Sequence, residues 1–181
     1  MSDKQVRILP GLFLIVLILD QVTKNIALST LEFGVSVPVL GDFLRWTLTL
    51  NPGGAFSLRL GNPTYYLISS LIIFVILVFF VIRHRTSAYL AVPLSIVAGG
   101  AAGNIIDRFR FGEVVDFIDC DFFDMTIGAY HLDRWPIFNV ADSAISCGII
   151  ATIVLIYFHD RWKKNESNDS VQEELTDKRS E

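Results

Sequence analysis

Charge is scarce in this chain: of its 181 residues only 19% are Asp, Glu, Lys or Arg, against 52% hydrophobic residues and a mean hydropathy of +0.49. Ordinary soluble domains carry about 25% charged residues, so a water-solvated single domain is excluded and a bilayer is the expected solvent. A basic surplus is missing as well. Fifteen Lys and Arg face nineteen Asp and Glu, and no basic patch remains beyond the flanks of the apolar runs, which argues against a nucleic-acid partner. Cysteine is nearly absent. Cys120 and Cys147 lie far apart without metal-ligand spacing, so neither a disulfide framework nor a zinc site is expected. His84, His131 and His159 are scattered, which leaves no catalytic triad or zinc-protease motif to assemble. No metal or cofactor is expected. The chain also lacks a visible internal repeat, which weakens a two-fold transporter architecture.

Long apolar runs are what the chain has. Residues 8–28, 64–82, 88–106 and 138–158 are each long enough, at about 1.5 Å per residue, to cross roughly 30 Å of hydrocarbon. The expected fold is an α-helical integral membrane protein of four transmembrane helices, with a small extracytoplasmic β-sheet and outer-face loops. Lys4 and Arg7, Arg83 and Arg85, and Arg161, Lys163 and Lys164 flank one side, whereas residues 29–63 and 107–137 hold nine acids against five bases. The positive-inside rule then places both termini in the cytoplasm. A cleavable signal peptide is the competing reading of the first run, but Asp20 and Lys24 at its end and the absence of a small-x-small cleavage site near Ala27 favour a retained helix.

Between the first two spans, Leu44, Trp46, Leu48 and Leu50 alternate with Arg45, Thr47 and Thr49, the period of a strand with one apolar face, turned towards lipid headgroups or the bundle. Asn51-Pro52-Gly53-Gly54 ends it in a turn. Residues 1–164 form the expected single membrane domain. Residues 165–181, with six acids and two bases, read as a disordered acidic cytoplasmic tail.

The polar residues of the spans converge in depth. Helical rise puts Asp20 roughly 18 Å and Lys24 roughly 24 Å from the inner end of the first span, and Asn104, Asp107 and Arg108 roughly 24 to 30 Å up the third. Asp142 lies about 6 Å below the outer start of the fourth. Ionisable groups in a span cost a few kcal/mol each and face a bundle interior or a cavity, so a site near the outer face is the default inference. Structural readings compete at every position. Asp20 and Lys24, at i and i+4, can neutralise one another. Gly100, Gly103, Asn104 and Asp107 form an i, i+3, i+4, i+7 stripe that fits close helix packing, with Asn104 as an interhelical hydrogen-bonding group. Asp107 reads as a membrane-edge partner of Arg108 or Arg110.

Two aspartates stand out by their apolar settings: Asp116 in Val114-Val115-Asp116-Phe117-Ile118, and Asp142, the single charge of its span. Carboxylates about 3 Å apart share a proton, one serving as general base on water and the other as general acid, which suits attack on an amide without a covalent intermediate. A serine-lysine scheme, with Lys24 activating Ser57, Ser143 or Ser146, is the competing chemistry.

These segments together resemble a known family. Asp20-Gln21-Val22-Thr23-Lys24, Asn51-Pro52-Gly53-Gly54-Ala55-Phe56, residues 99–108 (Gly-Gly-Ala-Ala-Gly-Asn-Ile-Ile-Asp-Arg), Val115-Asp116-Phe117 and Phe138-Asn139-Val140-Ala141-Asp142 occur in the order found in bacterial lipoprotein signal peptidase, the type II signal peptidase. The resemblance implies an aspartic endopeptidase of the bacterial inner membrane that cuts diacylglyceryl-modified prolipoproteins before the lipidated cysteine. It implies Asp116 and Asp142 as the catalytic pair. It further implies that Asp20, Lys24, Asn51, Gly53, Ala55, Asn104, Asp107, Arg108 and Asn139 support the site or bind substrate, with prolipoproteins and membrane lipids as partners. The segment 118–136 looks longer and more acidic than the family pattern, and the acidic tail looks additional. The alternatives are a small ion-coupled transporter using Asp20, Lys24, Asp107 and Asp142 as a relay, and a noncatalytic assembly protein that grips lipidated partners. The first would need polar groups in the inner half of the bundle, where these spans are nearly all apolar.

Overall fold

The structure, a computed structural model, describes residues 6, 8–53, 62–122, 125–127, 130–132 and 134–180. Among them, four helices are long and apolar enough to cross a membrane: α1 (Ile8–Thr30), α2 (Pro63–Arg83), α3 (Ala88–Phe111) and α4 (Val140–Ser180). Local chemistry marks their ends. At the start of α2 the Asn62 side chain accepts from the Tyr65 backbone N–H at 3.0 Å, and Pro63 occupies the first turn, where its missing N–H costs nothing. Gly112 ends α3 in the left-handed conformation at φ 76°, its N–H returning to the Arg108 carbonyl. The third span therefore runs five residues past the sequence boundary at 106 and carries Asp107 and Arg108 within the helix.

The fourth helix begins two residues after the expected start at 138. It starts at Val140 because Phe138 bridges to Ile118 and Asn139 serves as the cap. Its helical backbone continues to Ser180. No Gly or Pro follows Gly148, and Glu, Gln, Lys and Arg all propagate a helix well, so nothing in the sequence terminates it.

Helix α3 is the centre of the bundle. Half of its membrane-crossing window is buried, whereas none of the corresponding window of α2 is. Ile72, Ile73, Val75, Ile76 and Phe79 of α2 are exposed, as expected of a helix solvated by lipid. The glycines of α3 permit the close approach. A Cβ on Gly99 would sit 2.7 Å from the Phe13 carbonyl of α1, and one on Gly100 2.6 Å from the Ala141 carbonyl of α4. The packing reading of the small-residue stripe therefore holds.

A three-stranded antiparallel sheet, in the order β1 (Ser36–Leu40), β2 (Leu44–Asn51), β3 (Val114–Cys120), closes the end of the bundle where α1 finishes and α4 begins. The expected strand is β2. Its apolar face turns towards the bundle rather than lipid headgroups, where Leu48 packs with Ala27 of α1 and with Val115 and Phe117 of β3. In the β2–β3 register Thr49 faces Asp116 and Asn51 faces Val114. The long segment after β3 holds a two-stranded hairpin, β4 (Met125–Ile127) with β5 (Tyr130–Leu132). Residues 135–138 then return along β3, with Trp135 N–H donating to the Cys120 carbonyl at 3.2 Å and Phe138 N–H to the Ile118 carbonyl at 3.0 Å.

Candidate active site

Helix α1 contributes Asp20, Gln21 and Lys24 on one face, and all three reach α3 across the glycine stripe. Lys24 Nζ lies 2.9 Å from Asp20 Oδ2, 2.8 Å from Asp107 Oδ2 and 2.8 Å from Asn104 Oδ1. Its three N–H groups are thus committed, and its side chain is only 2% exposed. Asp107 is paired with Lys24 and not, as its sequence neighbours suggest, with Arg108 or Arg110. Its carboxylate also accepts from the Val115 backbone N–H at 3.2 Å and from Gln21 Nε2 at 3.0 Å. Asp20 Oδ1 accepts from the Ala141 N–H at 2.9 Å. Gly103 makes room for this carboxylate, since a Cβ there would collide with Asp20 Oδ2. One ammonium and two carboxylates thereby lock α1, α3, β3 and the first turn of α4 together.

Asn104 and Asn139 connect that knot to a second pair of carboxylates. Asn104 Nδ2 donates to Asp142 Oδ1 at 2.8 Å, while Asn139 Nδ2 lies 2.7 Å from Asp116 Oδ1 and 3.1 Å from Asn104 Oδ1. Asn139 caps α4 reciprocally. Its Oδ1 accepts from the Asp142 N–H at 2.8 Å, and its own N–H donates to Asp142 Oδ2 at 3.2 Å, a capping box built on Asn and Asp. The cap therefore fixes the direction of the Asp142 carboxylate. Asp116 lies between the core residues Val115 and Phe117 on β3, and strand alternation turns it to the other face. There Asn51 Nδ2 donates to its Oδ2 at 3.1 Å. Burial pushes the Asp116 carboxyl up to about 7, and the neighbouring charge of Asp142 adds to the rise, against the hydrogen bonds of Asn51 and Asn139 and the charge of Lys24.

Asp116 and Asp142 line one cavity of about 400 Å³, together with Asn51, Asn104, Arg108 and the segment 135–138. Gly53 is drawn in by its backbone: its N–H donates to Asn51 Oδ1 at 3.0 Å and its carbonyl accepts from Arg108 Nη2 at 3.2 Å. Ten of the residues singled out in the sequence thus converge at one end of the bundle. Ala55, and Ser57 of the competing scheme, lie outside the described residues. Ser143 Oγ donates to the Asn139 carbonyl at 3.0 Å, and the committed N–H groups of Lys24 leave that residue no free role as an activating base. Sequence reasoning missed Gln21, although it lies inside the Asp20 to Lys24 motif, one residue from Asp20. It also missed the wall at Trp135, Pro136 and Ile137, for which no periodicity gave a signal.

The chain is similar to known proteins over most of its length. The family model described as "Signal peptidase (SPase) II" matches residues 12–158. A lipoprotein signal peptidase of Desulforapulum autotrophicum is 41% identical over 151 residues, covering 80% of this chain and 88% of that one. One from Staphylococcus aureus is 38% identical over 152 residues, covering 83% and 88%. A solved structure described as a bacterial membrane enzyme obtained by the in meso method at 2.3 Å superposes with a TM-score of 0.69 at 37% identity, over 82% of this chain and 87% of that one.

Proposed function

Because the chain belongs to the signal peptidase II family of aspartic peptidases, we propose that it removes the signal peptide from diacylglyceryl-modified prolipoproteins, with Asp116 and Asp142 as the catalytic pair. The carrying observation is that two carboxylates joined through Asn139 line one cavity, and that one of them is poised to hold a proton near neutral pH. In this scheme one member of the pair is ionised and the other protonated. The ionised member takes a proton from a water whose oxygen attacks the carbonyl carbon of the scissile amide. The protonated member then gives its proton to the departing nitrogen, so that OH ends on the acyl fragment and H on the new amine.

The surrounding residues have distinct tasks in this scheme. Asn51, Asn104 and Asn139 are neutral donors that aim the two carboxylates without holding them permanently ionised. Arg108 donates from Nη2 to the Gly53 carbonyl and from Nη1 to the Asn104 carbonyl and lines the cavity, where its guanidinium can also meet a substrate carbonyl or a lipid phosphate. The Lys24 knot is scaffold. Apolar helices place the cavity within reach of a substrate helix lying in lipid. The basic flanks orient the chain with both termini in the cytoplasm and the cavity near the outer face of the inner membrane.

The test is cleavage of a diacylglyceryl-modified prolipopeptide by purified protein in detergent. The parent should cut it before the lipidated cysteine, and Asp116→Asn and Asp142→Asn, correctly inserted, should not. A rate close to the parent for either variant would overturn the catalytic assignment.

A further inference from the structure

Away from the carboxylate clusters, one side chain ties three segments of the sheet together. Arg134 Nε donates to Asp119 Oδ1 at 2.8 Å, Nη1 to Asp121 Oδ2 at 3.1 Å and to the Asp42 carbonyl at 2.9 Å, and Nη2 lies 3.4 Å from the Asp119 carbonyl. Asp119 is buried on β3. Its second oxygen accepts from Thr47 Oγ1 of β2 at 2.9 Å, and that hydroxyl meets Ser36 Oγ of β1 at 2.8 Å. The planar guanidinium fork therefore fastens the β1–β2 turn, the C-terminal end of β3 and the 135–138 segment to one another, which a single ammonium could not do with the same geometry.

The four residues after Arg134 form a wall of the cavity. Trp135, Pro136, Ile137 and Phe138 all line the space that holds Asp116 and Asp142. The wall is pinned to β3 at Trp135 and Phe138, and Pro136 has no N–H with which to add a bond. Its place depends on those bonds and on the two residues that flank it: Asn139, which caps α4, and Arg134. Trp135 is also packed edge-on against Phe122, at 6.2 Å between ring centres, and Phe122 against Phe43 at 6.0 Å, so the same corner of the sheet supports its indole.

From this we infer that Arg134 is a positioning residue that sets the width of the cavity by holding the 135–138 wall, and thereby governs affinity for the lipid-modified substrate rather than the rate of bond cleavage. The inference rests on the proposed peptidase reading. None of the described contacts of Arg134 involves Asp116, Asp142 or the asparagines that aim them, so the chemical step is insulated from it.

Steady-state cleavage of the diacylglyceryl-modified prolipopeptide separates the two effects. Arg134→Gln should raise KM about 5- to 10-fold with kcat within about twofold of the parent, the pattern of lost uniform binding. Arg134→Lys keeps the charge but loses the fork and should recover part of the affinity. Asp121→Asn removes the negative charge of one half-exposed partner and should raise KM about twofold. If Arg134→Gln does not insert stably, the Lys and Asp121 variants carry the same split between KM and kcat. An unchanged KM in variants that fold, or a fall in kcat at constant KM, would overturn the inference. A parent that cuts no lipidated substrate would remove the peptidase reading itself, and this inference with it.

Discussion

Two pairs of carboxylates share one end of the bundle, and their partners make them opposites. Asp20 and Asp107 are bonded to an ammonium, to backbone N–H groups and to Gln21. Asp116 and Asp142 are bonded to asparagine amides and, in the capping box, to one backbone N–H. A cation in contact satisfies a buried carboxylate as an ion, whereas neutral amides aim it and leave its proton equilibrium open. The first pair, gathered on one ammonium, holds α1, α3, β3 and the start of α4 together. The second faces a cavity, where the proposed chemistry requires a proton to move. Asn104 and Asn139 link the position of one pair to that of the other through neutral amides.

The largest effect that would break this contrast is loss of the exchangeable pair. Asp116→Asn and Asp142→Asn should each lower kcat by about 10² to 10⁴, and the double variant should be little worse than either, because groups acting as one unit are not additive. Single-turnover cleavage of lipidated peptide measures this. A multiplicative double variant would mean that the two aspartates act independently.

Removing the cation from the other pair should instead strike folding. Lys24→Met leaves two buried carboxylates without their ammonium and should cost about 3 to 5 kcal/mol of stability, read as loss of inserted, thermally stable protein. Lys24→Arg keeps the charge with a different shape and should retain part of the activity. Loss of turnover by Lys24→Arg with full stability would instead assign Lys24 a chemical role. Smaller again, Gly103→Ala forces a methyl against Asp20 and should destabilise by about 1 to 3 kcal/mol, measured by thermal unfolding in detergent.

Proton exchange at Asp116 can also be read in stability. Its folded-state pKa of about 7 lies above the ordinary carboxyl value of 3.8, so the folded protein favours the protonated form. That contribution is fully present below the unfolded value and is lost as pH rises through about 7. Asp116→Asn, which cannot ionise, should therefore gain thermal stability over the parent at pH 8 and gain least at pH 4. Equal differences at both pH values would show that Asp116 is not perturbed by burial. The parent's pH–rate profile should be bell-shaped, with limbs belonging to the pair rather than to either residue. The smallest expected effect is at the far end of the chain: truncation after Asn165, beyond the last residue of the fourth membrane-crossing window, should leave the cleavage rate near that of the parent.

Local pattern carried the reading as far as local pattern reaches. Four runs of apolar residues gave the spans, alternation gave β2, and helical rise brought Asp20, Lys24, Asn104, Asp107 and Asp142 to one depth before any contact was known. The ends of α3 and α4 shifted because a left-handed Gly112 and the cap at Asn139 set them, not hydropathy. Strand β3 was hidden by its length and by the two charges within it. The acids of the segment 118–136, read as an undifferentiated outer loop, divide in the structure: Asp119 is a buried ligand of Arg134, and Asp121 is half-exposed.

Partner choice belongs to the tertiary structure. Nothing within four residues of Asp107 identifies Lys24 as its counterion, because that pairing spans the α1–α3 contact that Gly99 and Gly103 permit. Nothing around Asp116 identifies Asn139, since β3 and the cap of α4 are brought together by the return of residues 135–138 along β3. Composition and period determined that this chain lies in a membrane with its polar groups at one level, for burial of apolar side chains acts residue by residue. Which carboxylate receives a cation and which receives an amide was decided by helices and strands approaching within hydrogen-bond reach, a property of the assembled bundle alone.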